Sequence, residues 1–467
     1  MAEDTENLQE EKLNAEQQAE ENNIPTIDNI DNVPPLDVEM FQQKTMLDLF
    51  NKPDNTPEKQ WLYQQINDYL QAGSFTEEDA NNLNHPVYNE IYQNYLNDLS
   101  YDIKSDVFSL DADKVNSAIE KLQNLACMQF ASNLESAKQF DKVMRIRLSS
   151  VPQLEYAFET AVVGRDIFNM INSSSNSVAT QIEVENKVQS LEDLYDYKII
   201  DNEQMAFGYH NIAILMEQLS RKKSDRMGNN NEQLASYDYM GKALRLTSNP
   251  QLIKTCFEYL PDNMNKKMLF VREACDRALE NYQNDSAALY KIHTLYGKSM
   301  TKEYIKSFLH IKNYSEYKET VYHYKEAFNY ADSKEKKIKA LRGLAKLQQH
   351  TEPEKAFEVR SVLAEQFLEG KTKVRELMKL SLEAKQPNIK AALLESAANE
   401  LIDSNTLKAE EKSLLLSNVI HNLRPLYGEN KEKLANLQKI EQKYCKKEEK
   451  RDFMVGRLSS KGNDYFN

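Results

Sequence analysis

Glycine is scarce in this chain: 11 in 467 residues, alongside 12 prolines and four cysteines. Few glycines leave few positive-φ turns, which tight β-hairpins and phosphate-cradling loops both need. An all-β or doubly wound architecture is therefore disfavoured. Cys127, Cys256, Cys275 and Cys445 stand far apart inside helical patterns. They make neither a metal pair nor a disulfide frame. No uncharged run approaches the roughly 20 residues that span a bilayer, and no basic-then-apolar leader opens the chain. The expectation is a soluble, cytoplasmic protein without a membrane segment.

Signatures of chemistry are missing too. The seven histidines are His85, His210, His293, His310, His323, His350 and His421, and none forms a His-Glu-x-x-His or Glu-x-x-His motif. There is no Gly-x-Ser-x-Gly elbow. Asp106, Asp111 and Asp113 cluster near a turn but lack the glycine and terminal glutamate of a calcium loop. Glu319 and His323, four apart on one helix face, read as a surface ion pair. No catalytic residue, metal ligand or cofactor is assigned, and the chain reads as a non-enzyme.

What is present forms helices. Apolar residues make up 40% of the chain, enough for a continuous core, and Leu, Glu, Lys, Gln and Ala fill the periodic segments. The length exceeds what one compact core supports, so several domains or an extended stack are expected. Charge is uneven. The net value is −14, yet residues 300–467 hold 32 basic and 25 acidic side chains. That basic third suits an acidic partner or a solvated surface.

In chain order, residues 1–38 carry eleven acidic side chains and one basic, Lys12, with Pro25, Pro34 and Pro35 and no aromatic. This segment reads as a disordered acidic leader. Residues 39–172 read as an N-terminal helical domain. Thr56 caps a helix with Pro57 at its first position, and Gly73 closes it. Thr76 with Asp79 suggests a further cap. Helices are expected over 115–130, 134–148 and 151–170, then a polar break at Ser173–Ser177. Residues 178–445 read as helical repeats, with an exposed loop over 220–232. Asn249-Pro250 starts a helix, 302–311 is a separate helix, and Thr351 with Glu354 forms a capping box. A helix over 356–368 ends at Gly370. Residues 446–467 form a charged tail.

One spacing recurs within the repeats. The sets are Tyr209, Ile212, Ala213, Met216; Leu252, Thr255, Cys256, Tyr259; and Leu289, Ile292, His293, Tyr296. Second helical runs follow two of them: Ser236, Met240, Ala243, Leu244, and Val271, Cys275, Ala278, Leu279. Over about residues 200–425 this resembles the tetratricopeptide-like superfamily of helical hairpins. Ala243-Leu244 with Pro250 resembles the close of one repeat, and Ala278-Leu279 follows about one family period later. The resemblance implies an all-α helical-hairpin solenoid whose first helices line a groove for a peptide or a protein helix. Each hairpin has two apolar sides and hides them by stacking on its neighbours.

Aromatics concentrate between Tyr290 and Tyr324. Tyr290, Tyr296 and Tyr304 read either as interface residues or as fillers between helices. Lys334, Lys336, Lys337, Lys339, Arg342 and Lys346 form the densest basic run. Arg342 and Lys346, one turn apart, are placed to clamp a partner carboxylate. The leading reading is a non-enzymatic scaffold whose partners are other proteins or peptides. Alternatives are an adaptor for nucleic acid or an acidic partner through the basic third, of which nucleic acid is the weaker, and an enzyme with a site between helices.

Overall fold

The computed structural model describes residues 33–53, 55–125, 134–172, 181–224, 231–262, 266–307, 314–349, 351–404 and 407–445. Among them the chain is helical throughout and has no strand. The acidic leader up to residue 32, the polar break, Cys127, His310, His350 and the charged tail lie outside the described residues. The chain divides after Ala278 into two compact units.

The first unit is built from α1 (Val38–Asn51), α2 (Pro57–Gln71), α3 (Pro86–Asp106), α4 (Ala112–Leu125), α5 (Leu134–Leu148), α6 (Pro152–Asn172), α7 (Gln181–Asp196), α8 (Asn202–Ser224), α9 (Asn231–Leu246), α10 (Pro250–Tyr259) and α11 (Lys267–Asn281). Its hub is α6, which packs against α3, α4, α5, α7 and α8. The sequence of α6 explains this. Leu154, Ala157, Phe158, Thr160, Ala161, Val163, Gly164 and Ile167 are all buried, so more than one face is covered. Small residues let neighbours approach. A Cβ on Gly164 would lie 2.7 Å from the Cβ of Val107, and one on Gly208 of α8 would lie 2.6 Å from Leu191 of α7. The helices on either side of residues 173–177, α6 and α7, also pack against each other.

The second unit contains α12 (Ser286–Ser307), α13 (Tyr314–Asn329), α14 (Lys334–Gln349), α15 (Pro353–Val362), α16 (Gly370–Glu383), α17 (Pro387–Asp403), α18 (Ala409–Leu423) and α19 (Lys431–Tyr444). Every helix here packs on the next one in sequence, and α12 also reaches α14. An extended core is shared by Val374, Leu377 and Leu380 of α16, Leu394, Ala397 and Leu401 of α17, and Leu416, Val419 and Ile420 of α18. Full burial of each such leucine or isoleucine is worth about 1.5–3 kcal/mol.

Local capping follows the sequence closely. The Thr56 hydroxyl accepts from Lys59 N at 3.3 Å with Pro57 at the first position. The Asn249 Oδ1 accepts from Gln251 N and Leu252 N at 2.9 and 3.2 Å. Gly73 follows α2 at φ 72°. The Thr76–Asp79 pair is formed, but it opens only a 3-10 turn over Asp79–Asn81.

Other expectations change. α8 runs five residues into the expected loop, supported by the Arg221–Glu217 pair one turn apart at 2.6 Å. Residues 302–307 continue α12 instead of starting a new helix. No capping box forms at Thr351, because its hydroxyl donates back to Leu347 O and Glu352 becomes the N-cap residue. α15 closes through a π turn over Leu363–Phe367, and Gly370, at φ 53°, opens α16 instead of ending a helix. Its amide is held by Glu400 Oε1 at 2.6 Å.

Three helices of the second unit meet on one ring. Tyr324 of α13 lies against Gly297 of α12 and Gly343 of α14, with a Cβ on Gly297 falling 3.0 Å from the ring. A Cβ on Gly343 would overlap it outright. We expect Gly343→Ala to lower unfolding free energy by about 1–3 kcal/mol, the usual cost of overpacking. Urea denaturation measures it, and adding Tyr324→Leu should restore part of the loss.

Candidate partner-binding surface and buried histidine pair

The hairpin α12/α13 places side chains at helical spacing toward each other. Leu289, Ile292, His293 and Tyr296 face inward from α12, and Tyr317, Thr320, His323, Tyr324 and Ala327 from α13. Two of these are histidines, each only 4% exposed. Their Nδ1 atoms lie 2.9 Å apart, so one ring must donate and the other accept. Aromatic rings enclose them. Tyr296 stacks on His323 at 3.7 Å, Tyr330 stacks on His293 at 5.7 Å, and Tyr322 meets both edge-on.

Burial disfavours the imidazolium, pushing His293 down to about 4. His323 falls to about 3, through the same desolvation and then the proximity of His293. Both rings are therefore neutral at pH 7. The expected Glu319–His323 surface ion pair is corrected: His323 is buried on His293, and Glu319 accepts from the Tyr296 hydroxyl at 3.3 Å. No carboxylate among the described residues orients either imidazole for proton transfer. Nor does any group of three or more His, Cys, Asp or Glu there have the arrangement to hold a metal ion. The pair acts as a buried polar lock between two helices, at the position where the repeat pattern carries a small residue.

Two of the three tyrosines singled out from sequence, Tyr290 and Tyr296, sit inward. Tyr290 is buried, its hydroxyl donating to Lys336 O at 3.4 Å and its ring lying under the Lys336 ammonium at 5.2 Å. Tyr296 is buried against His323. Both therefore spend their ring faces on the protein's own interior. Tyr304 lies on α12, but its side chain is outside the described residues.

The six cations of α14 sort into two groups. Lys334 pairs with Glu369, Lys336 with Asp332 at 2.8 Å, and Lys337 lies over the Phe328 ring at 5.5 Å. Lys339, Arg342 and Lys346 are exposed. Their spacing of three and four puts them on one line along the helix. They make no ion pair or hydrogen bond with other described residues. Arg342 and Lys346, one turn apart, thus lie together on the surface, with Lys339 extending the line.

No family model matches the chain, and no curated protein matches it. Among the described residues, no helix is long and apolar enough to cross a membrane.

The histidine pair has a stability signature. Between the ordinary imidazole value of about 6.5 and the depressed values, the unfolded chain binds protons that the folded hairpin refuses. Stability is therefore complete above that range and falls as pH drops toward 4, by on the order of a few kcal/mol. We expect the urea midpoint to decrease steadily from pH 7 to pH 4.5. His293→Phe combined with His323→Phe should flatten much of that slope, and His293→Phe alone should destabilise at pH 7 by leaving His323 without its partner.

Proposed function

We propose that this chain is a non-enzymatic interaction scaffold. Its second unit is a helical-hairpin solenoid similar to the tetratricopeptide-like superfamily, and it binds an acidic peptide or protein helix. The support for that architecture is that each helix from α12 to α19 packs on its sequence neighbour; the small-residue positions Ala213 and Cys256, buried as the pattern requires, belong to the first unit. The observation that carries the binding reading is the line of Lys339, Arg342 and Lys346 on α14. Three like charges on one face repel one another by a few tenths of a kcal/mol per pair, and an acidic partner turns that repulsion into attraction. The line spans roughly 10 Å at 1.5 Å per residue, about two turns of a facing helix. Arg342 supplies a planar fork for a carboxylate and the lysines supply point charges. Cytoplasmic residence goes with this reading, Cys256 and Cys275 being free thiols in the first unit.

Reversal of Arg342 and Lys346 to glutamate should leave helicity unchanged. It should weaken capture of native-host partners about tenfold, with smaller losses at higher salt, because rim charges are screened. Quantitative affinity capture measures this, and retention of every partner by the double variant would sink the reading. Binding of a twenty-nucleotide oligothymidine that the same reversal abolishes would favour the nucleic-acid adaptor instead.

A further inference from the structure

A second surface lies within the first unit, on the side of α6 where its N-terminal turn meets α3 and the end of α7. Here a concave cup of about 430 Å³ is lined by Asn97, Tyr101 and Lys104 of α3, Pro152, Gln153 and Tyr156 of α6, and the turn Tyr197–Ile199. Three of its walls are tyrosines with much of their surface open: Tyr101 is 47% exposed, Tyr156 45% and Tyr197 78%. Tyrosines contributed by three separate segments converge on one hollow.

The charge in the cup has one sign. Lys104 and Lys198 line it and no carboxylate does. Lys104 spends one of its three N–H donors on Ile199 O at 2.8 Å. Asp201 does not line the cup, but its carboxylate accepts from the Tyr101 hydroxyl and attracts the Lys104 ammonium, which leaves exposed Lys198 as the cation without a neighbouring carboxylate in the lining. Lys198 is exposed. It also sits at φ 58°, in the turn closing α7, where its amide donates to Tyr195 O and the next amide to Leu194 O. That left-handed position after a helix is one glycine fills at no cost. A lysine there is held at a conformational cost, with its side chain at the cup.

We propose that this cup binds an extended, proline-containing acidic peptide from a partner protein. An extended chain without internal hydrogen bonds presents flat proline rings to tyrosine faces and leaves its carbonyls free to accept hydrogen bonds. The Tyr156 and Tyr197 hydroxyls and the Asn97 amide are the donors for those carbonyls. A carboxylate on the peptide meets the remaining donors of Lys104 and the ammonium of Lys198. The site is independent of the α14 cation line, so failure of one reading leaves the other standing.

The test uses the full chain and a fluorescein-labelled (Pro-Pro-Glu)4 peptide, with (Pro-Pro-Lys)4 and (Gly-Ser-Glu)4 as controls, followed by fluorescence anisotropy. The expected result is saturable binding of the first peptide, at least tenfold tighter than either control. Tyr197→Ala and Tyr156→Ala should each weaken it at least fivefold. Lys198→Gly should weaken it while leaving the melting temperature equal or higher, which separates lost contact from lost folding. No binding of (Pro-Pro-Glu)4 at millimolar concentration overturns the proposal, as does equal binding of the lysine peptide. Tighter binding of a synthetic peptide of residues 1–32 would overturn the external partner in favour of the chain's own acidic segment. Tyrosine-dependent binding of an oligothymidine would overturn it in favour of a single-stranded nucleic acid.

Discussion

The second unit depends on a ring filling a slot. Tyr324 of α13 fits between helices α12 and α14 because Gly297 and Gly343 carry no side chain there. Its hydroxyl lies 3.1 Å from that of Thr301. A ring in such a slot brings both dispersion contacts and a satisfied polar end, which is how tyrosine serves a crowded interior. With α12, α13 and α14 tied together there, the faces left outward are the ones free for partners. The exposed line on α14 is a by-product of how tightly its other face is held.

The two imidazoles inside the same hairpin are matched to each other, while the buried Thr294 hydroxyl beside them has no hydrogen-bond partner among the described residues. A buried imidazole without a partner carries a desolvation cost. His293 and His323 satisfy each other, and the surrounding tyrosine rings exclude water. Glu203 works similarly in the first unit, where its carboxylate accepts from the Thr247 hydroxyl at 2.7 Å and from the Ser248 amide. That ties the start of α8 to the end of α9. Lys412, with its ammonium on Ile402 O and Ser404 O, closes the end of α17 in the second unit. Helix ends in this protein are repeatedly held by side chains from a neighbouring helix, which compensates for its shortage of capping glycines.

Helices and their starts were legible in the sequence wherever the cause is local. α5 spans the expected 134–148, and Thr56 and Asn249 cap as their residue types require. Features set by distant contacts were not legible. The role of Gly370 depends on Glu400, thirty positions away. His323 meets His293 across the same separation, and the nearer Glu319 misdirected the reading. A clue existed in the bulk of His293 at a small-residue position. The tyrosine cup draws on residues 101, 156 and 197, which no periodicity connects. The α14 cations carried the opposite difficulty: all six were visible, but only packing shows which three are already engaged.

The order of packing in the second unit also governs how that unit comes together. Helices that rest chiefly on their sequence neighbours close short loops at low entropic cost, a topology associated with rapid folding. Cooperativity in such an array runs along one dimension and weakens where a helix has a neighbour on only one side. α19 fits that position, with Leu437 its one fully buried residue and a charged outer surface. Local opening at the C-terminal end of the unit therefore starts at α19, ahead of the core shared by α16, α17 and α18.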